Sequence, residues 1–469
     1  MTTMKSLKCI FFVIGNVVSI SANAQYNIGI STSLYGGINA VQMNPAFISG
    51  SRQKIIVNFL GISSFPTDLL VTSGNFAAAI YSENERGLNY NSNIIGNVNR
   101  INQAQGPGCQ ISIGQRFGIG ISSRIRSMEK ITNINENTLG IISNNNNPQT
   151  FDLATHFRYN SHFWNEVGFT FGALMYKKED RQIKFGITLR SLGGIQYMSV
   201  NCKNMSVQYR NADSTFVVKD VDMTASGNLY DTKWQSATNN VAGQLFDSKI
   251  GKGLSADIGA VYSCFPMVAK RNDSTGTLIY SDEYKLNVSV SITDIGSIKY
   301  PFASDNSYKI SGNGVVTQEG LNYNSQKFEN LLYYMQSSGF KIDTTKSITK
   351  MYMPTSLIMS VNYNILHRFH TVLTGLFSII SKNKPGVFFD NYLNLNTMYE
   401  GPRFSFGVPV SYRYATGKID YGVMLRWRGV YLGTDNLKSA FTQSGINFYL
   451  GYQLILNKKP NIKPIVKAH

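Results

Sequence analysis

Charged residues and long apolar runs are both scarce in this sequence. Charged side chains make up 15% of the 469 residues, against about 25% in an average soluble domain. Beyond residue 24, no stretch approaches the roughly 18 consecutive apolar residues of a membrane-spanning helix, the best being the region around residues 372–380. The first shortage disfavours an ordinary soluble domain, and the second excludes a membrane protein built from helices.

Acidic residues and cysteines are scarce as well. The chain has 27 Asp and Glu against 44 Lys and Arg, which gives a formal net charge of +17. Such an excess favours anionic partners, either nucleic acid or a lipid surface. Beyond residue 24 only Cys109, Cys202 and Cys264 remain, and an odd number of cysteines excludes a closed disulfide framework.

Residues 1–24 have the pattern of a cleaved export signal. Lys5 and Lys8 precede a mostly apolar run at residues 9–20, which is too short to span a bilayer, and small residues follow at positions 22 and 24. We therefore expect cleavage before Gln25 and, since no cysteine stands directly after the run, no lipidation. An exported protein rarely meets nucleic acid, so the expected anionic partners are outer-membrane lipid and lipopolysaccharide phosphates.

Strands are indicated by apolar residues that alternate with polar ones over the roughly 9 to 11 residues of a tilted barrel strand. In residues 286–293, Leu, Val, Val and Ile alternate with Asn, Ser, Ser and Thr. Residues 404–412 and 419–427 have the pattern of a hairpin around a turn at 415–418. The same alternation occurs in residues 117–126, 167–175, 183–190, 254–263 and 446–456.

Aromatic residues, 12% of the chain, cluster where these strands end. A soluble β-sandwich would also alternate, but aromatic girdles mark the two lipid interfaces of membrane barrels. Lipid cannot satisfy an open strand edge, so the sheet must close. We therefore predict an all-β fold, a transmembrane antiparallel β-barrel of about 14 strands, within roughly 12 to 16. The strand-end aromatic residues are Tyr176, Tyr262, Tyr412, Tyr414, Tyr421 and Trp427.

The predicted connections are of two kinds, as in barrels with short turns at one end and long loops at the other. Short turns are predicted at residues 115–116, 160–163, 367–368 and 415–418, and long loops at residues 82–107, 132–149, 226–251 and 302–353. Two of the loops are predicted to contain short helices, at residues 235–248 and 325–337, the latter with apolar residues at helical spacing. The barrel is expected to cover residues 54–456, and a short basic tail, residues 457–469, follows it.

Residues 25–53, ahead of the first strand, do not have a strand pattern. Gly36 and Gly37 interrupt the segment, residues 38–43 are compatible with one or two helical turns, and Pro45 ends that helix. Irregular backbone at membrane depth is tolerated only where protein or water surrounds it. We therefore expect residues 25–53 to fold into the barrel lumen as a plug. Its motif is Asn44, Pro45, Ala46 and Phe47.

Four segments of the chain resemble known outer-membrane proteins: residues 44–47, 251–262, 289–300 and 432–437. The Asn-Pro-Ala motif resembles the start of the mature outer-membrane long-chain fatty-acid transporters. The four segments together resemble an uncharacterised family of outer-membrane barrels from Bacteroidota. The resemblance implies a barrel of the predicted strand number with an internal amino-terminal plug. It implies roles either in the uptake of hydrophobic molecules or as components of a secretion apparatus.

The sequence contains no recognisable catalytic or metal-binding pattern. Its five histidines, at positions 156, 162, 367, 370 and 469, lie beside predicted turns or at the terminus. None accompanies a Gly-x-Ser-x-Gly nucleophile motif. The three remaining cysteines are far apart and have no histidine at ligand spacing. We therefore expect neither enzymatic activity nor a cofactor.

Basic residues on the polar faces of the predicted strands form the one group of side chains that suggests a function. A basic lumen would attract anions such as fatty-acid carboxylates. Alternatively, these residues pair with Asp257, Glu166 or plug carbonyls and hold the interior together, or they meet lipid headgroups at a rim beside Trp427. They are Arg124, Arg126, Lys184, Arg190, Arg413, Arg426 and Arg428.

Two functions are compatible with this pattern. The leading hypothesis is a monomeric outer-membrane barrel that binds or passes small hydrophobic or amphipathic molecules. The alternative is a structural or docking barrel of a secretion or motility apparatus that transports nothing.

Overall fold

The structure, a computed structural model, describes 18 stretches of the chain and 22 strands within them. The described residues are 27–50, 53–67, 95–114, 116–135, 151–178, 180–210, 215–227, 251–268, 279–280, 284–300, 307–317, 320, 328–345, 350–366, 368–381, 384–414, 417–437 and 447–457. The helices are α1 (Ile28–Ser31), α2 (Ile38–Met43) and α3 (Phe328–Ser337), and a 3-10 turn covers Pro45–Ile48. The strands are β1 (Gln53–Thr67), β2 (Ile95–Gln105), β3 (Gly108–Ile113), β4 (Phe117–Asn135), β5 (Phe151–Lys177), β6 (Arg181–Arg210), β7 (Thr215–Gly227), β8 (Gly251–Cys264), β9 (Met267–Val268), β10 (Ile279–Tyr280), β11 (Leu286–Lys299), β12 (Ser307–Thr317), β13 (Lys341–Thr344), β14 (Lys350–Tyr352), β15 (Ser356–Leu366), β16 (Phe369–Ser378), β17 (Tyr392–Glu400), β18 (Phe404–Arg413), β19 (Lys418–Tyr421), β20 (Val423–Trp427), β21 (Val430–Thr434) and β22 (Phe448–Asn457).

The described chain closes into one antiparallel barrel of 14 strands, which confirms the predicted fold class. Each barrel strand pairs with the next one along the chain, and β22 returns to pair with β1, where Ile56 lies opposite Ile455. Three barrel strands consist of two consecutive pieces each: β2 with β3, β14 with β15, and β19 with β20. Because the sheet closes on itself, the barrel wall has no free edge.

The barrel wall is apolar outside and polar inside. In β11, Val288 and Val290 are 38% and 44% exposed, whereas Ser289 and Ser291 between them are 5% and 2% exposed. A soluble sheet protein buries its apolar face instead, because that burial stabilises it. The outward apolar band is therefore a lipid-facing surface, and the inward polar face lines a lumen.

The same sheet continues beyond one end of the barrel. Residues 198–210 of β6 extend past the end of the barrel, still paired with β5, and also pair with β7. Strand β7 in turn pairs with β12, and β12 pairs with β13. Helix α3 packs on this sheet, and Leu332 of the helix joins Phe216, Ile310 and Phe340 in a separate apolar core. We call β7, β12, β13, α3 and residues 198–210 of β6 the extension.

The structure corrects several predicted boundaries. The turn predicted at residues 160–163 is wrong, because β5 runs unbroken through it. The predicted loop 82–107 contains β2, and the predicted loop 302–353 contains β12, β13, β14 and α3. The helix predicted at residues 235–248 lies outside the described residues, as do the export signal and residues 458–469 of the basic tail. No helix of the described chain is long and apolar enough to cross a membrane.

Candidate functional site in the barrel lumen

Residues 27–50 lie against the inward polar face of the barrel, and we call them the lumenal segment. Asn44 holds the segment to the wall, because its side-chain nitrogen donates to the carbonyls of Ala260 and Val290 at 3.1 and 3.0 Å. The same side chain accepts the backbone N–H of Ala46 at 2.9 Å, which starts the 3-10 turn at Pro45. The Asn-Pro-Ala motif therefore ends α2, starts the next turn and fixes both to β8 and β11.

Two glycines of the barrel wall, Gly118 and Gly186, allow the backbone of the lumenal segment to lie this close to the strands. A Cβ at Gly186 of β6 would overlap the carbonyl of Pro45 and the nitrogen of Ala46, and one at Gly118 would overlap the carbonyl of Ile48. Only residues without a side chain leave room for backbone at that distance. The wall sequence is therefore matched to the backbone of the lumenal segment.

Two acidic side chains anchor the other half of the lumenal segment. Glu400 at the end of β17 accepts from the hydroxyl of Ser33 and from the backbone N–H of Leu34, the latter at 3.0 Å. Asp435 beyond β21 accepts the backbone N–H of Ile28 at 3.1 Å. Both acids meet neutral donors, because the lumenal segment contains no charged residue.

Six buried charged residues form a cluster in the lumen beside the lumenal segment: Arg124, Arg126 and Arg190 with Glu166, Asp257 and Asp294. Each of these side chains is 4% exposed or less. Asp294 lies 2.9 Å from Arg126 and 3.3 Å from Arg124, while Arg190 donates to Asp257 at 2.6 Å. Three positive charges therefore meet three negative ones, and the cluster is neutral.

A β-bulge in β11 brings Asp294 into this cluster. The register of β11 against β8 shifts between Ile292 and Ile295, and Asp294 has a positive φ of 56°. As a result Thr293 and Asp294 are both buried, although they are neighbours on one strand. Simple alternation places Asp294 outside, so sequence inspection missed this residue, and the bulge is what turns it inward.

Aromatic side chains cover the charged cluster on the side of the extension. Arg126 lies 5.0 Å from the Trp164 ring and 5.6 Å from the Phe389 ring. His162, which sequence analysis placed beside a turn, is buried in this layer and lies 2.9 Å from the Tyr300 hydroxyl. Its buried position places it inside the lumen, away from solvent-exposed loops.

The other predicted basic residues occupy four different surroundings. Arg413 pairs with Asp420 at 2.5 Å. Arg426 donates to the carbonyl of Arg428 at 2.8 Å and stacks 3.9 Å above the Tyr35 ring of the lumenal segment. Lys184 is half-buried, with its ammonium end beside Gly50. Arg428 is exposed and lies 5.6 Å from the Trp427 ring, at the barrel rim.

Inward acids were the main residues that sequence analysis did not find. Besides Asp294, they include Glu400, Asp435 and Asp390, which pairs with Lys130 at 2.5 Å. Glu400 follows the alternation of β17 and could have been found from it. Asp390 and Asp435 lie in connections that fold back into the lumen, where no strand periodicity applies. No group of three potential metal ligands occurs in the described parts of the chain.

The contact between the lumenal segment and the wall is incompletely hydrogen-bonded. Gln42 Nε2, Gln105 Oε1 and Gln453 Oε1 are buried and have no partner within the described chain. A cavity of about 10 Å³ beside Gln42 and Gln110 is large enough for about one water molecule. An unpartnered buried polar atom costs about 1–3 kcal/mol, and a water molecule in this cavity would supply Gln42 with a partner.

A closed barrel with a lipid-facing outer wall and a polar, occupied lumen is the architecture of outer-membrane barrel proteins. The chain belongs to a family of unknown function, DUF5723, whose family model matches residues 45–435. No curated protein matches it.

Three solved structures illustrate its similarity to other barrels. A FadL homologue of Pseudomonas aeruginosa is 9% identical over 88% of this chain and 90% of that chain, with a TM-score of 0.22. The outer membrane protease OmpT of Escherichia coli is 8% identical over 86% and 95%, with a TM-score of 0.15. The ferric-catecholate import receptor Fiu of E. coli K12 is 9% identical over 87% and 72%, with a TM-score of 0.17. At these scores the similarity assigns no function.

Proposed function

We propose that the protein is an outer-membrane barrel that passes small amphipathic molecules, and that the lumenal segment closes its lumen until it is displaced. The observation that carries this proposal is that an uncharged segment occupies a polar lumen without taking part in its ion pairs. The six members of the charged cluster pair with one another across β4, β5, β6, β8 and β11. Displacing the segment therefore breaks no salt bridge.

The surface that the segment covers supports an amphipathic solute. Ile30 packs in an apolar cluster with Met398, Met424 and Tyr449 of the wall. Amide side chains lie next to this cluster, and Asn396 donates to the Thr32 hydroxyl at 2.8 Å. A molecule with an apolar part and a hydroxyl or carboxyl group could replace both kinds of contact.

Solute entry into liposomes that contain the full mature barrel tests this proposal. Deletion of residues 30–50 is expected to raise the rate of liposome swelling severalfold in glucose and in butyl glucoside, because it removes the segment that closes the lumen. Heat-modifiable gel mobility would confirm that the deletion variant still folds.

A disulfide provides a reversible version of the same test in a variant whose native cysteines are replaced by serine. A Cβ at Gly172 would lie 3.3 Å from the Ser49 Cβ, close to the roughly 3.5–4.5 Å that a disulfide needs. Oxidised Ser49→Cys/Gly172→Cys is expected to block butyl glucoside entry, and reduction to restore it. Each single cysteine variant is the control.

One pair of results would overturn the transport proposal: a folded deletion variant as tight as the intact protein, and a disulfide without effect. In that case the extension, a folded unit with its own apolar core beyond the lipid-facing wall, would favour the second candidate, a docking barrel without transport.

A further inference from the structure

Three lysines lie side by side on the outer face of the barrel, at the end from which the extension projects. In the register of neighbouring strands, Lys299 of β11 is directly opposite Lys252 of β8 on one side and Lys350 of β14 on the other. Like charges directly opposite each other in a sheet destabilise it. We call Lys252, Lys299 and Lys350 the lysine row.

A fourth lysine adds to the same positive surface. Lys384 and Lys350 place their ammonium groups 4.8 and 4.9 Å from the centre of the Tyr352 ring. Lys252, Lys299 and Lys384 are exposed, and Lys350 is half-buried. No ion pair among the described residues includes any of the four, so no acid of the described chain offsets their repulsion.

The lysine row stands at the depth of lipid headgroups. Leu254 lies two residues from Lys252 on β8, on the side toward the middle of the barrel. It faces outward and is 74% exposed, and it is opposite Ser297 of β11. Two residues along a strand span about 7 Å, so the lysines directly follow the apolar band. The β11 bulge makes this possible, because it turns Ile295, Ser297 and Lys299 to the outer face.

The row also faces the outer leaflet if the barrel has the usual orientation. Its strands join the long connections at residues 228–250 and 301–349, whereas β3 and β4 are joined at the opposite end by a short turn. Barrels of the outer membrane place long loops outside and short turns in the periplasm. The lipid at this position carries phosphate groups.

We propose that the lysine row binds the phosphates of a phosphorylated glycolipid of the outer leaflet, such as lipid A. Phosphate oxygens placed between the lysine ammonium groups would accept charge-assisted hydrogen bonds from them, and this attraction would offset the repulsion between the lysines. The Tyr352 ring would hold Lys350 and Lys384 in place through cation–π contacts. This inference rests on the proposed outer-membrane location and not on what passes through the lumen.

Native mass spectrometry of the full mature barrel in detergent, titrated with diphosphorylated lipid A, tests the site. Lys252→Gln/Lys299→Gln/Lys350→Gln should bind lipid A about a hundredfold more weakly, since each lysine near an anionic surface contributes roughly a fivefold factor. The matched control is Lys54→Gln/Lys177→Gln/Lys178→Gln, which removes three exposed lysines from the opposite end and should bind like wild type.

Thermal unfolding separates binding from a folding defect. Without lipid A, the lysine-row variant should unfold at the same or a higher temperature than wild type, because repulsion is removed. Lipid A should raise the unfolding temperature of wild type and not that of the variant. The proposal is overturned if the variant binds lipid A like wild type, or if dephosphorylated lipid A or phosphatidylglycerol binds as tightly as diphosphorylated lipid A.

Discussion

At the residue scale, the charged cluster shows how a lumen can be lined with arginine and still be neutral. Burial of a charge is costly unless an opposite charge and hydrogen bonds replace the water. Glu166 meets this need for three arginines, since it lies against Arg124, within 3.8 Å of Arg126 and within 3.5 Å of Arg190. The arginines are thus occupied with carboxylates and do not present a free anion site.

Replacing Glu166 with Gln should destabilise the barrel strongly. The substitution keeps the shape of the side chain but leaves a buried, uncompensated positive charge, which costs about 3–5 kcal/mol. Urea unfolding of the barrel in lipid vesicles would measure the loss. Glu129→Gln is the control, because Glu129 pairs with Arg100 at 3.1 Å with both side chains about one-third exposed; such pairs contribute about 0–1 kcal/mol.

A second substitution tests whether the loss of stability in Glu166→Gln comes from the uncompensated charge. Adding Arg124→Gln to Glu166→Gln restores neutrality and should recover part of the lost stability. An equal effect of Glu166→Gln and Glu129→Gln, or a further loss in the double variant, would contradict the interpretation.

The sequence predicted part of this cluster. Arg124, Arg126 and Arg190 fall on polar faces whose alternation is regular, and pairing with Asp257 and Glu166 was one of the alternatives. The alternation could not identify Asp294, because the β11 bulge reverses which positions of the strand face inward from that residue on. Lys130 and Asp390 meet only because a connection folds back into the lumen, and such a contact leaves no local pattern.

At the element scale, the lumenal segment and the wall glycines Gly118 and Gly186 depend on each other. Helix α2 (Ile38–Met43) lies where the pattern predicted a helical turn, and Asn44 and Pro45 end it. Helix α1 (Ile28–Ser31) has four residues, too few for a helical period to appear in the sequence. The wrong turn at residues 160–163 has a similar cause, because β5 continues past the lipid-facing band into a region where Asn160, Ser161 and His162 are all buried.

Replacing Gly186 with Ala should loosen the lumenal segment. The new Cβ would meet backbone atoms of Pro45 and Ala46, which cannot move aside as a flexible side chain could. Overpacking of this kind costs about 1–3 kcal/mol, and it should also raise butyl glucoside entry in the liposome assay.

Gly407→Ala is the matched control for Gly186→Ala. Gly407 is also an inward glycine of a barrel strand, but a Cβ there would lie 3.0 Å from the flexible Met398 side chain. Solute entry should therefore stay at the wild-type rate. If Gly186→Ala left both stability and entry unchanged, the close contact between segment and wall would be refuted.

At the scale of the whole molecule, periodicity predicted the closed barrel because lipid on one side and a polar lumen on the other impose strict alternation. The strand number was also correct. The extension was not predicted, since its strands bury an apolar core of their own. Strands β12 and β13 lie within the loop predicted at residues 302–353, and β7 lies in a stretch for which no strand was predicted. Composition distinguishes membrane wall from loop, but it does not show which loops fold on each other.

The seam between the first and last strands tests closure most directly. Val57 of β1 lies opposite Leu454 of β22. In a variant without native cysteines, Val57→Cys/Leu454→Cys should form a disulfide on mild oxidation, seen as faster migration of the unfolded chain on a gel. Val57→Cys/Leu450→Cys, displaced by four residues or about 13 Å along the strand, should not. A disulfide in the displaced pair, or none in the aligned pair, would contradict the closed barrel.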